Sequence, residues 1–319
     1  MRKNPLLMTK IISSLVLSIL IFTGCKKEQK EPEKIYAEVE DDVILVEGGP
    51  FTMGDDFPSK AARYARPKHE TSVDSFYISA REVSKSEYNL LMGSSGDDNA
   101  DDENLPAEKL SWYEAIVFCN KLSMSVGAEP AYYMSVDRKD EGDPDKWGKV
   151  PEEKNPAWDS IKWKKDANGY RLPTEAEWEF AARGGLKSKG KSSAGTDFDS
   201  EDLRNYAWFF LNSGFKIHEC AKLKANELGL YDICGNVSEW VWDWFSDGYY
   251  YLSDEAASLN PSGPESGEVR CHRGGSYMGD RESMQVYARN EMSPDEKSGK
   301  VGFRLCRNAE KDVETDNGK

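Results

Sequence analysis

The residue types that carry redox, nucleophilic and metal chemistry are few in this chain, and they are scattered. Six cysteines stand at Cys25, Cys119, Cys220, Cys234, Cys271 and Cys306, with only three histidines, His69, His218 and His272. A thiolate can attack, be oxidised or hold a soft metal. A zinc or iron site of the usual type needs several such ligands at short spacing. No Cys-x-x-Cys pair exists here and the histidines are far apart, so no such site is expected. Outside the cytoplasm thiols can pair, but the five cysteines after Cys25 are an odd number. At least one therefore stays free or bonds elsewhere. Cys25 is different in kind. Arg2, Lys3 and Lys10 lead into an apolar run, Ile11 to Phe22, of twelve residues, and Thr23-Gly24 sets small residues before the cysteine. The run is too short to span a bilayer, and its order (basic, apolar, small) is that of a secretory signal.

The segment Phe22-Thr23-Gly24-Cys25 resembles the lipobox of bacterial lipoproteins, with Phe22 where that motif prefers leucine. The resemblance implies cleavage after Gly24 and a lipid on Cys25. It also implies a place in the bacterial envelope, at the outer membrane or cell surface. Residues 1–24 are then signal peptide and 25–40 a tether, since Lys26 to Glu40 is almost wholly polar and carries Pro32. The domain is expected over 41–309, with a polar tail at 310–319. Loss of Arg2, Lys3 and Lys10 takes the formal charge from −15 to −18. That acidity argues against nucleic acid and against electrostatic adhesion to anionic lipid; solubility is its simplest role.

The elements that hold the domain together are marked by three capping boxes, a hydroxyl followed three residues later by Glu: Ser84/Glu87, Ser111/Glu114 and Thr174/Glu177. The second helix carries Trp112, Ile116, Cys119 and Leu122 at helical spacing, so one face is buried. The third carries Trp178 and stops at Gly184-Gly185. Val43 to Met53 reads as a strand pair joined at Gly48-Gly49. Trp240, Trp242 and Trp244 alternate along an extended segment, most simply for core packing. The charged stretch from Asp137 to Lys165, with Pro144, Pro151 and Pro156, reads as a surface excursion.

Seven motifs then occur in one order: "GGPFTMG" at 48–54, "FYISAREVSKSEY" at 76–88, "LSWYEAIVFCNKLS" at 110–123, "GYRLPTEAEWEFAARGG" at 169–185, "NELGLYDICGNVSEWVWDW" at 226–244, "RGGSY" at 273–277 and "GFRLCR" at 302–307. In this the chain resembles the formylglycine-generating enzyme (sulfatase-modifying factor) family. The resemblance implies an α+β, C-type-lectin-like fold of small twisted antiparallel sheets, flanking helices and extensive loops. Arg273 and Arg304, which flank the last segment, are expected to fix its ends by bonding backbone carbonyls.

The family's enzymes oxidise a substrate cysteine with two cysteines of their own, and copper in the aerobic members. Both lie between the "GGSY" and "GFR" blocks. Here there is no cysteine from His272 to Leu305, and Gly279 and Met284 stand where the pair is expected. Without a thiolate there is neither a redox nucleophile nor a soft copper ligand, so no copper and no oxidase activity are expected. The resemblance also carries over a calcium site at Asp232, Gly235, Val237 and Glu239. Two carboxylates and two carbonyls suit a hard cation; the bland alternative is that both carboxylates bond only neighbouring backbone. The family's substrate face falls on 277–300. It offers Tyr277, Met278, Gly279, Asp280, Arg281 and Glu282, then Met284, Gln285, Tyr287 and Asn290. Aromatic and arginine groups supply contact energy and methionine adapts to shape, which suits binding of an unknown protein or surface ligand. The variable proteins of diversity-generating retroelements share this fold and vary in this same interval. The competing class is an envelope enzyme or maturation factor with unorthodox catalytic residues.

Overall fold

The computed structural model describes residues 39, 42–56, 64–93, 103–188, 201–252 and 259–310. Cys25, residues 1–24, nearly all of the polar tail and all of the expected tether but Val39 lie outside them. Val39 is buried in the core beside the helix Trp112–Ser125, so the domain begins before residue 40 and the expected end of the tether is corrected. The elements run β1 (Val43–Val46), β2 (Gly49–Met53), β3 (His69–Val73), β4 (Phe76–Ser79), α1 (Lys85–Met92), α2 (Trp112–Ser125), β5 (Tyr132–Val136), β6 (Lys139–Glu141), β7 (Lys162–Trp163), α3 (Glu175–Ala182), β8 (Ser238–Trp244), β9 (Arg270–Arg273), β10 (Arg289–Met292), β11 (Val301–Gly302) and β12 (Cys306–Asn308). They make four small sheets, ordered β1-β4-β12, β10-β9-β8-β11, β2-β3 and β6-β5-β7. All pairings are antiparallel except β11 with β8.

All three capping boxes form. Ser84, Ser111 and Thr174 each accept from the backbone N–H of the glutamate three residues on, and each glutamate reaches back to the cap's own N–H. Each box satisfies two donors that a helix start leaves unpaired. α3 ends before Gly184, whose φ of +93° is a conformation in which a side chain is disfavoured. α2 buries Trp112, Ile116, Cys119 and Leu122 as its spacing predicts, and also Tyr113, Ala115 and Phe118, so little of it faces water.

β8 divides two cores. Trp240 belongs to the cluster built on α2, with Trp242 packed against it, while Val241 belongs to the cluster built on α3. The period-two alternation of a strand does this with consecutive residues. The tryptophans of this strand are therefore core residues.

Two further expectations are corrected. β1 and β2 do not pair with each other: β1 lies on β4 and β2 on β3. The chain has already been bent apart at Gly48, where a Cβ would sit 2.4 Å from the backbone of Val73 and Asp74. The stretch 137–165 is not a bare surface excursion. It contributes β6 and β7 to a sheet with β5 and buries Trp147 and Trp158, whose rings meet edge to face at 5.8 Å. Its charges point outward from tryptophans that anchor it.

Candidate functional site

The segment 274–288 links β9 to β10 and is tied down at both ends through α3. Arg273 donates to Glu175 Oε1 (2.9 Å), to Glu179 Oε2 (2.5 Å) and to the Val286 carbonyl (2.8 Å). Arg289 donates to both oxygens of Glu175, at 2.6 and 2.8 Å, and to the carbonyls of Tyr64 and Ser246. One buried carboxylate thus holds two buried guanidinium groups. Burial opposes its charge, but Arg289 and Arg273 hold its pKa down to about 2. Arg304 likewise bonds the carbonyls of Ser79 and Tyr231, as expected, and adds two bonds of 2.6 Å to Glu239. The carboxylate partners were not anticipated; the run Glu175-x-Glu177-x-Glu179, acidic yet inside a block with Trp178 and Phe180, was the available signal.

The segment leaves β9 through Gly274 (φ +96°) and Gly275 (φ +70°). A Cβ at Gly275 would lie 2.3 Å from Met284 Cε and 2.6 Å from the Ser283 carbonyl, so only glycine fits. Met284 is buried, and its methyl also lies 2.8 Å from where a Cβ of Gly279 would be. The expected surface role therefore does not suit Met284: it fills the space between the two glycines. Asp280 accepts from Ser283 N at 2.9 Å and shapes the turn. Met278, Asp280 and Glu282 are exposed, whereas Tyr277, Gly279, Arg281, Gln285, Tyr287 and Asn290 are half-buried. Burial, helped by Asp55, pushes the Tyr287 phenol up to about 12. Asn290 lies within β10 opposite His272, as part of the sheet edge.

Beside Tyr277 and Met278 lies a loop that sequence reasoning passed over. Phe210 N donates to the Gly279 carbonyl (3.0 Å) and Ser213 Oγ to the Tyr277 carbonyl (2.8 Å). Phe210 and Phe215 stand exposed with rings 5.2 Å apart, edge to face. An apolar run, Ala207-Trp208-Phe209-Phe210-Leu211, with Phe215 shortly after it, was the sequence sign of it. Asn236 fastens the loop's base. Its side chain bonds the N–H and carbonyl of His218, its N–H the Trp208 carbonyl, and its carbonyl accepts from Tyr277 N.

The residues expected to bind calcium lie on this same support. Asp232 Oδ2 accepts from Ala221 N at 2.7 Å, and Oδ1 is buried without a partner. Glu239 is engaged by Arg304 and by Trp178 Nε1 at 2.7 Å. Glu82, on the turn after β4, completes a trio of buried carboxylates facing the single guanidinium of Arg304. Burial, then the charges of Asp232 and Glu239, hold the Glu82 pKa well above the carboxylate range, and burial lifts Asp232 to about 6. Among the described residues no three or more His, Cys, Asp or Glu side chains gather so as to hold a metal ion. The expected set draws only two ligands from side chains. Surplus negative charge and one open oxygen on Asp232 fit a hard cation there; Glu239 would have to share its oxygens with Arg304.

A model of the sulfatase-modifying factor enzyme 1-like domain matches residues 28–309. Chaperone protein LppX of Paenibacillus barcinonensis is 31% identical over 295 residues, covering 84% of this chain and 90% of that one. The formylglycine-generating enzyme of Mus musculus is 31% identical over 297 residues, covering 83% and 74%. Among solved structures, Treponema denticola variable protein 1 is 34% identical with a TM-score of 0.72, covering 84% of this chain and 95% of that one.

Proposed function

Since the chain belongs to the sulfatase-modifying factor enzyme 1-like family, with its α+β, C-type-lectin-like fold, we propose that it is a lipid-anchored binding protein of the bacterial envelope and not an oxidase. One observation carries this reading. The two positions where the resemblance places the oxidase thiols hold Gly279 and Met284, and the Met284 side chain packs over that glycine. Every cysteine among the described residues is buried, and burial raises the pKa of Cys119, Cys220, Cys271 and Cys306. None of these four is a ready thiolate. The neighbouring Tyr277, Met278, Asp280 and Arg281 supply contact groups. Two relatives bear names, "variable protein" and "chaperone", that speak of recognition more than of turnover.

Calcium, held by Asp232 and Glu239 with the carbonyls of Gly235 and Val237, is proposed as a structural ion. It would supply the positive charge that the buried carboxylates lack. The lipid on Cys25 would hold the domain at the envelope surface. Purified residues 26–319, given copper, oxygen and a cysteine-containing sulfatase peptide, should form no formylglycine; turnover sinks the binding-only reading. The variable-protein version has its own test in DNA. A near-copy of the coding segment for 277–300, differing at adenines and lying beside a reverse transcriptase, supports it, and a neighbourhood without one removes it.

A further inference from the structure

We propose that Phe210, Leu211 and Phe215 form with Met278 one apolar contact surface, and that its occupant is a short apolar segment of a partner polypeptide flanked by basic residues. This rests on the binding reading above and extends the face beyond 277–300. The two strands of chain are joined where they meet. Bonds from Phe210 N to the Gly279 carbonyl and from Ser213 Oγ to the Tyr277 carbonyl bracket Met278 on either side. Phe210, Leu211, Phe215 and Met278 are 47%, 52%, 62% and 37% exposed.

Two costs coincide at Phe215. Its ring stands in water, and its φ is +64°, following Gly214 at +63°. For a residue with a Cβ the left-handed conformation is disfavoured. Phe215 N is bonded to Ser213 Oγ at 3.2 Å, which holds the turn. Asparagine or glycine would take this backbone more easily and lysine would suit the exposure, so stability does not account for a phenylalanine here. Strain that carries an exposed aromatic group marks a surface kept for contact. The surface is also built in advance. Fully buried Asn236 ties His218, Trp208 and Tyr277 together, so little ordering is needed on binding.

Size and charge select the occupant. With roughly 150–250 Å² per aromatic side chain, two half-exposed rings, a leucine and a methionine offer on the order of 400 Å². That is about half of the ~800 Å² that each partner of a standard interface buries. It suits a segment inserting one or two side chains better than a second copy of this domain. Exposed Asp280 and Glu282 follow Met278, against the exposed Lys216 beside Phe215, and the whole chain carries −15. An anionic bilayer or a second copy is repelled, and a cationic segment attracted.

The test pans a library of short random peptides on residues 26–319 and measures the affinity of the enriched peptides by fluorescence polarisation. Enriched peptides should pair aromatic or aliphatic residues with Lys or Arg. Phe215→Ser and Met278→Ser should each weaken them by roughly tenfold or more. Leu186→Ser, also an exposed apolar residue (57%), should not. Thermal melts verify that each variant is folded, and Phe210→Ser serves if Phe215→Ser is not. No enrichment, or affinity indifferent to these substitutions, overturns the proposal. So does concentration-dependent self-association, or binding to phosphatidylcholine vesicles, that Phe215→Ser abolishes. Peptides lost with Tyr277→Ala but kept with Phe210→Ser and Phe215→Ser overturn the composite surface alone; formylglycine formation overturns the binding reading beneath it.

Discussion

Two carboxylates show how differently one residue type can be employed. Glu175, 1% exposed, accepts from Arg273, from Arg289 and from Tyr250 Oη. Replacing it with glutamine leaves two buried guanidinium groups with no countercharge at that position. Breaking a buried pair in this way costs about 3–5 kcal/mol, so Glu175→Gln should lower the urea midpoint sharply, and a midpoint within error of the parent would refute the hub. Asp232 has the opposite problem, since its Oδ1 has no partner among the described residues. If calcium meets that need, chelation lowers the melting temperature of the parent and leaves an Asp232→Ala variant unmoved. A parent indifferent to chelator removes the site. Neither role could be read from residue type alone. Glu175 and Asp232 both sit in motifs, but whether an acid meets an arginine or nothing depends on chains brought in from far along the sequence.

At the scale of elements the sequence was most legible where a structure is decided locally. Capping boxes fix helix starts within four residues, and all three were found. The tryptophans of β8 were legible as a strand because period two needs no partner. Pairing was not, since β1 and β2 are neighbours in the chain yet lie on β4 and β3, and only the finished sheets show this. The loop carrying Phe210 and Phe215 follows no periodicity, so nothing in its spacing announced it. α3 yields a prediction at this scale. Asp243 Oδ2 accepts from Glu175 N in its first turn, and burial, then the charge of Glu175, push the Asp243 pKa up to about 8. The folded carboxyl keeps its proton to higher pH than the unfolded one. Its favourable contribution is therefore complete below the unfolded value of 3.8 and is lost as pH rises towards 8. Asp243→Asn keeps an acceptor for the helix and removes the titration, so its melting temperature should vary less across that range. An unchanged slope would assign the dependence elsewhere.

For the whole molecule the two kinds of buried acid set opposing limbs. Glu175 is held at about 2, and Glu179 and Glu87 also lie below their ordinary value despite burial, through their arginines. What they contribute is present above about 4.5 and lost as pH falls towards 2. In chelator, where no cation holds Asp232 ionised, Asp243 and Asp232, raised to about 8 and about 6, lose theirs as pH rises. The melting temperature should peak at about pH 4 to 4.5; a flat profile from 5 to 8 would contradict the raised pair. The proposed anchor belongs to this scale too: if Cys25 carries a lipid, Cys25→Ser should move the protein from the membrane pellet to the soluble fraction, and an unmoved variant would refute lipidation there. Inside the domain the remaining thiols have another use. Cys119, Cys220, Cys271 and Cys306 are all buried thiols, so the folded domain shields each of them from an oxidant. Each molecule thereby carries a built-in gauge of its own opening. A thiol dye added to the purified domain stays dark on folded copies and lights those that have come apart. In an oxidising medium those same copies become the ones that cross-link.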